Sequence, residues 1–122
     1  MSRRQLYDQL IDAISSLLFS ITQMDISEQT RTEIAQFGIA WNVGRDYRID
    51  MLEPLYELVA ECSKDTAKLL IAKDVTFFDH FKLHKEICVS KWMTGLNQDD
   101  SDNVWHIIKR IYLVTKQINK LV

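Results

Sequence analysis

Residues 2–24 read SRRQLYDQLIDAISSLLFSITQM, and within them Tyr7, Leu10, Ile14, Leu17, Ile21 and Met24 recur in steps of three and four without a miss. A half-buried strand would alternate apolar and polar residues, whereas these steps bring all six side chains to one face of an α-helix. Leu6, Ala13, Leu18 and Phe19 widen the stripe beyond a two-stranded seam, which predicts a helix with several neighbours inside a bundle. Ser2 stands where an N-cap belongs, and Gln5, Asp8, Asp12, Ser15 and Gln23 are left to face water.

The same period continues outward. Asp25 and Glu28 have capping-box spacing ahead of a helix through Ile34, Phe37, Ile39 and Trp41, which Gly44 is expected to end in a left-handed conformation. Residues 45–48 then read as a connection. Asp50 with Glu53, and Pro54 in the first turn, predict a third helix carrying Leu52, Leu55, Val59, Cys62, Thr66 and Leu69. Asp74 caps a segment that buries Phe77, Phe78 and Phe81. Beyond Lys82 the pattern fits either one continued helix or a break followed by a short helix capped by Ser90. Gly95 ends this region, and residues 97–103 read as a polar loop of carboxylates before a last helix that buries Ile107, Ile108, Ile111, Val114, Thr115 and Ile118. With no repeat or linker, residues 1–122 read as one all-α domain. The expected architecture is an irregular bundle of about five helices, near 3–24, 26–42, 50–72, 75–94 and 103–121.

Composition narrows the class. At 47% hydrophobic and 26% charged residues, with 3 Gly and 1 Pro among 122 residues, the chain is neither collagen-like nor disordered. Its apolar runs fall short of the roughly 18–20 residues that span a bilayer. Asp8 and Asp12 interrupt any secretory signal after the basic start, so an intracellular location is expected, with Cys62 and Cys88 as reduced thiols. The net charge of -2 hides an asymmetry, since residues 1–61 carry 5 basic and 10 acidic side chains, and residues 62–122 carry 10 basic and 7 acidic. Such halves can orient a partner or a second copy.

Chemistry-bearing groups are few. His80, His84 and Cys88, at i, i+4 and i+8, would meet on an uninterrupted helix and offer zinc three ligands, although a closed site needs a fourth and edge-of-core packing is the simpler account. Cys88 with His84 or His106 forms a formal thiol–imidazole pair, but nothing fixes an orienting third group. Glycines at only 38, 44 and 95 exclude Walker and Rossmann loops, so no cofactor and no small-molecule substrate is indicated. On the last helix Trp105, Lys109, Tyr112 and Lys116 step by four, three and four, a pattern that suits helix packing, a protein partner, or stacking and charge against nucleic acid or headgroups.

The stretch from Asp74 to Thr115 contains Phe77-Phe78, then Ile87-Cys88-Val89-Ser90-Lys91-Trp92-Met93, an Asp-rich loop, and Asn103-Val104-Trp105-His106-Ile107-Ile108-Lys109-Arg110-Ile111-Tyr112-Leu113. It resembles small helical proteins of nucleocytoplasmic large DNA viruses, in which a hydrophobic-Ser-x-x-Trp turn precedes a polar loop and a helix opening with Ile-Trp-Lys-Tyr-Leu. The resemblance covers about a third of the chain and implies a viral structural or interaction role, in host cytoplasm or virion. The expected function is thus a non-enzymatic module that joins itself or another protein through an apolar helix face. Tyr7, Leu10, Ile14 and Leu17 would serve if the first helix is only partly covered, with Trp105 and Tyr112 as a second patch. The alternative is a small nucleic-acid-associated regulator using Lys109, Lys116 and Lys120, and third comes a metal-dependent or thiol enzyme.

Overall fold

The computed structural model describes residues 2–42, 44–83, 89–93 and 95–121, with residues 45–47 by backbone only, and these form helices and no strand. Helix α1 (Arg3–Thr22) starts as its sequence demands: Gln5 N–H donates to Ser2 Oγ at 3.2 Å and Ser2 N–H to Gln5 Oε1 at 2.8 Å, a reciprocal capping box. Its end is tied down by Arg31, whose guanidinium donates to the carbonyls of Thr22 and Met24, each at 2.9 Å.

Helix α2 (Glu28–Trp41) is capped by Ser27, not Asp25. Ser27 Oγ accepts from Thr30 N–H at 3.2 Å, while Asp25 lies two residues ahead of the cap and Glu28 is already helical. Asn42 closes α2, and Gly44, at φ 161°, is extended rather than left-handed. The expected connection is itself helix α3 (Arg45–Met51). Arg48 folds back over the Trp41 ring, 5.3 Å from its centroid, and donates to the Trp41 carbonyl.

The long third helix is instead split. Helix α4 (Glu53–Glu61) opens with Pro54 in its first turn, but Asp50 does not cap it, because Leu52 occupies the cap position and Asp50 lies within α3. Cys62, at ψ 130°, leaves the helical path, and Ser63 starts helix α5 (Lys64–Ile71) by accepting from Thr66 N–H at 3.3 Å. A Ser followed by Thr three residues later offers a new N-terminus, and the chain takes it in preference to continuing.

Helix α5 ends in a Schellman motif, with Asp74 N–H bonded to Leu69 O at 3.0 Å and Lys73 N–H to Leu70 O at 3.1 Å. Lys73 holds the left-handed position, at φ 56°, that glycine usually fills. Replacing Lys73 with glycine is therefore expected to raise stability by about 0.5–1 kcal/mol relative to Lys73→Ala. Both variants lose the exposed 2.9 Å pair to Asp102, so the comparison in urea isolates the backbone term.

Asp74 then caps a 3₁₀ turn, Val75–Asp79, by accepting from Thr76 N–H at 3.0 Å. The turn stops before His80, so the fourth element breaks ahead of Lys82. Helix α6 (Val89–Trp92) contains Ser90 inside it, not as its cap. Helix α7 (Gln98–Lys120) begins five residues earlier than expected: Asn97 Oδ1 accepts from Asp100 N–H at 2.8 Å, and Asp99 and Asp100 lie in the first turn, where the dipole favours them.

The core is built on α1 against α7. Arg3 and Tyr7 share a cleft with Ile118 and Asn119, so the start of α1 meets the end of α7 and the pair runs antiparallel. Leu10, Ala13, Ile14, Leu17 and Ile21 on one side and Val104, Ile108, Ile111 and Ile118 on the other are sealed from water. Thr115 is buried with them, its hydroxyl donating to the Ile111 carbonyl at 2.7 Å. Helix α4 packs on α7, and α5 and α6 pack on the 3₁₀ turn. Two residues depart from the expected stripes: Phe19 is 69% exposed and Ile39 75%. No helix among the described residues is long and apolar enough to cross a membrane.

Candidate functional site

The residues singled out for partner binding do not converge on one surface. Leu10, Ile14 and Leu17 are each 0% exposed, covered by α7, so they hold the bundle together and offer no face to a partner in this fold. Trp105 and Tyr112 also lie inside. Trp105 packs on Phe78 with ring centroids 5.0 Å apart, and Tyr112 stands edge-on to Phe77 at 6.0 Å. The reason is that α7 has neighbours on more than one side: α1 covers its isoleucine stripe and α4 packs on it, while Phe77 and Phe78 of the 3₁₀ turn meet its rings. Tyr7, Lys109 and Lys116 remain at the surface.

His80 lies just beyond the 3₁₀ turn rather than on a helix running toward position 88, and His84 and Cys88 fall outside the described residues. Cys62 is half-buried, its thiol donating to the Leu58 carbonyl at 3.2 Å. Burial first, and then the neighbouring Glu61, push the Cys62 thiol upward in pKa, which holds it as the poorly nucleophilic protonated form.

Tyr7 opens onto the better-formed site. A cleft of about 490 Å³ lies between the start of α1, the α3–α4 junction and the end of α7, walled by Tyr7, Tyr56 and Ile118 and rimmed by Asp50, Glu53 and Glu57. Tyr7 and Tyr56 meet edge to face, centroids 6.0 Å apart at 62°, and so form an aromatic corner. Arg3 stacks over Tyr7 at 5.5 Å and donates to its hydroxyl at 3.1 Å and 3.3 Å. Asn119 Nδ2 donates to the Tyr56 carbonyl at 2.9 Å, fixing α4 to the end of α7. Tyr56 Oη is shielded from water and, among the described residues, has no hydrogen-bond partner. Its pKa is raised well above the ordinary tyrosine value by burial, and further by Tyr7, Glu53 and Asp50. The phenol stays neutral, with its proton and lone pairs available.

Sequence reasoning assigned Asp50 and Glu53 to a capping box and passed over Tyr56, which sits one residue off the Leu55–Val59 stripe. Only the antiparallel docking of α1 on α7 brings residue 7 to residue 56.

A second surface lies on the outward side of α7. His106, Lys109, Arg110, Leu113, Lys116 and Lys120 are all exposed along about 21 Å of helix, in steps of three and four apart from the adjacent Lys109 and Arg110, with no acid beyond Asp102. Leu113 is 47% exposed in its middle. Among the described residues none of its four Lys and Arg side chains is in an ion pair. No protein-family model, curated protein or solved structure matches the chain.

Proposed function

We propose that this chain is a non-enzymatic interaction module that joins an acidic face of a protein partner through the outward side of α7. The observation that carries the reading is the row Lys109, Arg110, Lys116 and Lys120 around exposed Leu113, none of the four in an ion pair among the described residues. Aligned cations steer association and set its register, and an apolar residue among them supplies contact that charge alone does not. A viral virion or assembly role, as the resemblance of residues 74–115 implies, is the setting we propose for it. The nucleic-acid alternative keeps its cations but loses its stacking platform, because Trp105 and Tyr112 are 4% and 3% exposed.

Fluorescence anisotropy with a labelled Glu- and Leu-rich helical peptide and with a 20-base-pair duplex separates the two. The peptide is expected to bind at low salt, to lose about tenfold or more on the double reversal Lys109→Glu/Lys116→Glu, and to lose several-fold on Leu113→Ser. A duplex that binds more tightly than the peptide, and is indifferent to Leu113→Ser, would favour the regulator. No peptide binding, or binding unmoved by the reversal, would remove the proposal.

A further inference from the structure

Helix α4 carries a row opposite in sign to the one on α7. Glu53, Glu57 and Glu61 are exposed and step by four over about 12 Å of helix, with exposed Pro54 and half-buried Leu58 beside them. The outward side of α7 has the same design in cations, with exposed Leu113 among Lys109, Lys116 and Lys120. Glu57 to Glu61 and Lys116 to Lys120 are each one step of four, about 6 Å along the helix, so the spacings match. The two rows are also neighbours in one molecule. Asn119 donates to the Tyr56 carbonyl at 2.9 Å, while Cys62 couples electrostatically to Tyr112 and Lys116, so α4 packs antiparallel on α7 with Glu61 level with Lys116 and Glu57 level with Lys120. Lying side by side, the rows still do not pair: none of these Glu and Lys side chains is in an ion pair among the described residues.

We propose that the outward side of α7 is covered by α4 of a second copy of this chain, in a closed two-fold dimer. The inference rests on the reading of α7 as a docking face and names its acidic partner. A two-fold axis parallel to the paired helices exchanges the rows, so that Lys116 and Lys120 of each copy meet Glu61 and Glu57 of the other, and Leu113 meets Pro54 and Leu58. Each favourable contact is then made twice, and no two rows of like sign face each other. An unrelated acidic partner on α7 would leave the α4 row bare, whereas a second copy covers both. The division of charge along the chain suits this, with residues 1–61 at -5 and residues 62–122 at +3. Exposed pairs of this kind are individually weak and screened by salt, so the dimer forms at high protein concentration and dissociates as salt rises.

Sedimentation equilibrium of the full chain tests it. At low salt the mass is expected to approach that of two copies as concentration rises, and about 1 M sodium chloride is expected to weaken the dimer tenfold or more. Two double reversals at exposed positions, Lys116→Glu/Lys120→Glu and Glu57→Lys/Glu61→Lys, should each keep their helical circular dichroism and sediment as monomers. Mixed in equal amounts they should recover the dimer, because every contact of the mixed pair again joins opposite signs. Leu113→Ser should weaken association several-fold. A mixture that stays monomeric, a mass that climbs past two copies, or a wild-type chain that is monomeric throughout would overturn the dimer. If the wild-type chain is monomeric yet binds the Glu- and Leu-rich peptide through α7, only the dimer falls and the α7 face stands; association with neither peptide nor itself removes both.

Discussion

Phe77→Ala is expected to destabilise the protein by about 3–5 kcal/mol, because it empties the centre of the aromatic cluster rather than its edge. Phe77 is 0% exposed. Its ring meets Phe81 at 5.1 Å, Phe78 at 5.6 Å, Tyr112 at 6.0 Å and Trp105 at 6.3 Å. The transfer and cavity terms of a buried ring are joined here by four ring pairs, each contributing about 0.5–1.5 kcal/mol beyond area. A domain of this length has about 5–15 kcal/mol in total, and each kcal/mol moves its melting temperature by roughly 3–6 °C, so a fall of about 10–30 °C should follow. Urea unfolding read by tryptophan fluorescence checks it. Phe19→Ala, on a ring 69% exposed, is the matched control and should change stability by no more than about 0.5 kcal/mol. Comparable small effects for both would mean that the 3₁₀ turn is not part of the core.

The burial of Phe77, Phe78 and Phe81 could be read from spacing because three rings within five residues reach one side in either an α-helix or a 3₁₀ turn. The turn type could not, since Asp74 caps both. Similar competition explains the other boundary errors. Ser27 outbid Asp25, and Ser63 interrupted a stripe that was apolar on both sides of it, since a hydroxyl at an N-cap wins only when the chain's path lets it. Periodicity also cannot say how many neighbours a helix has. Trp105 and Tyr112 lie off the isoleucine stripe and read as a second surface, yet the 3₁₀ turn covers them; Ser15 reads as solvent-facing and instead accepts the Trp41 indole N–H at 3.1 Å. The Tyr7–Tyr56 cleft was the least legible feature, being made by residues 49 positions apart on elements whose pairing no local pattern encodes.

Ile14→Asp decides between the two roles that the α1 stripe can play. If the stripe were an interface, the isolated chain would tolerate the aspartate, keep its helical circular dichroism, and lose only association. The structure predicts the opposite. Ile14 is sealed, with Leu10 and Leu17 on either side of it along α1 at the same 0% exposure, and α7 covers the row. Removing the isoleucine contributes about 2–5 kcal/mol of destabilisation, and an unpaired carboxylate in that seam adds several more unless it takes up a proton. The sum equals or exceeds the whole stability of an ordinary domain, so no cooperative unfolding transition should survive at neutral pH. Lowering the pH toward 4 should restore part of it, since a buried carboxyl is tolerated far better neutral than charged. Ile14→Val, which keeps the shape and loses one methylene, should cost only about 0.5–1.5 kcal/mol and retain the transition. Tyr7, about two turns nearer the start of α1 and half-buried at the cleft, is where α1 reaches the surface, and a charge placed there should spare the fold.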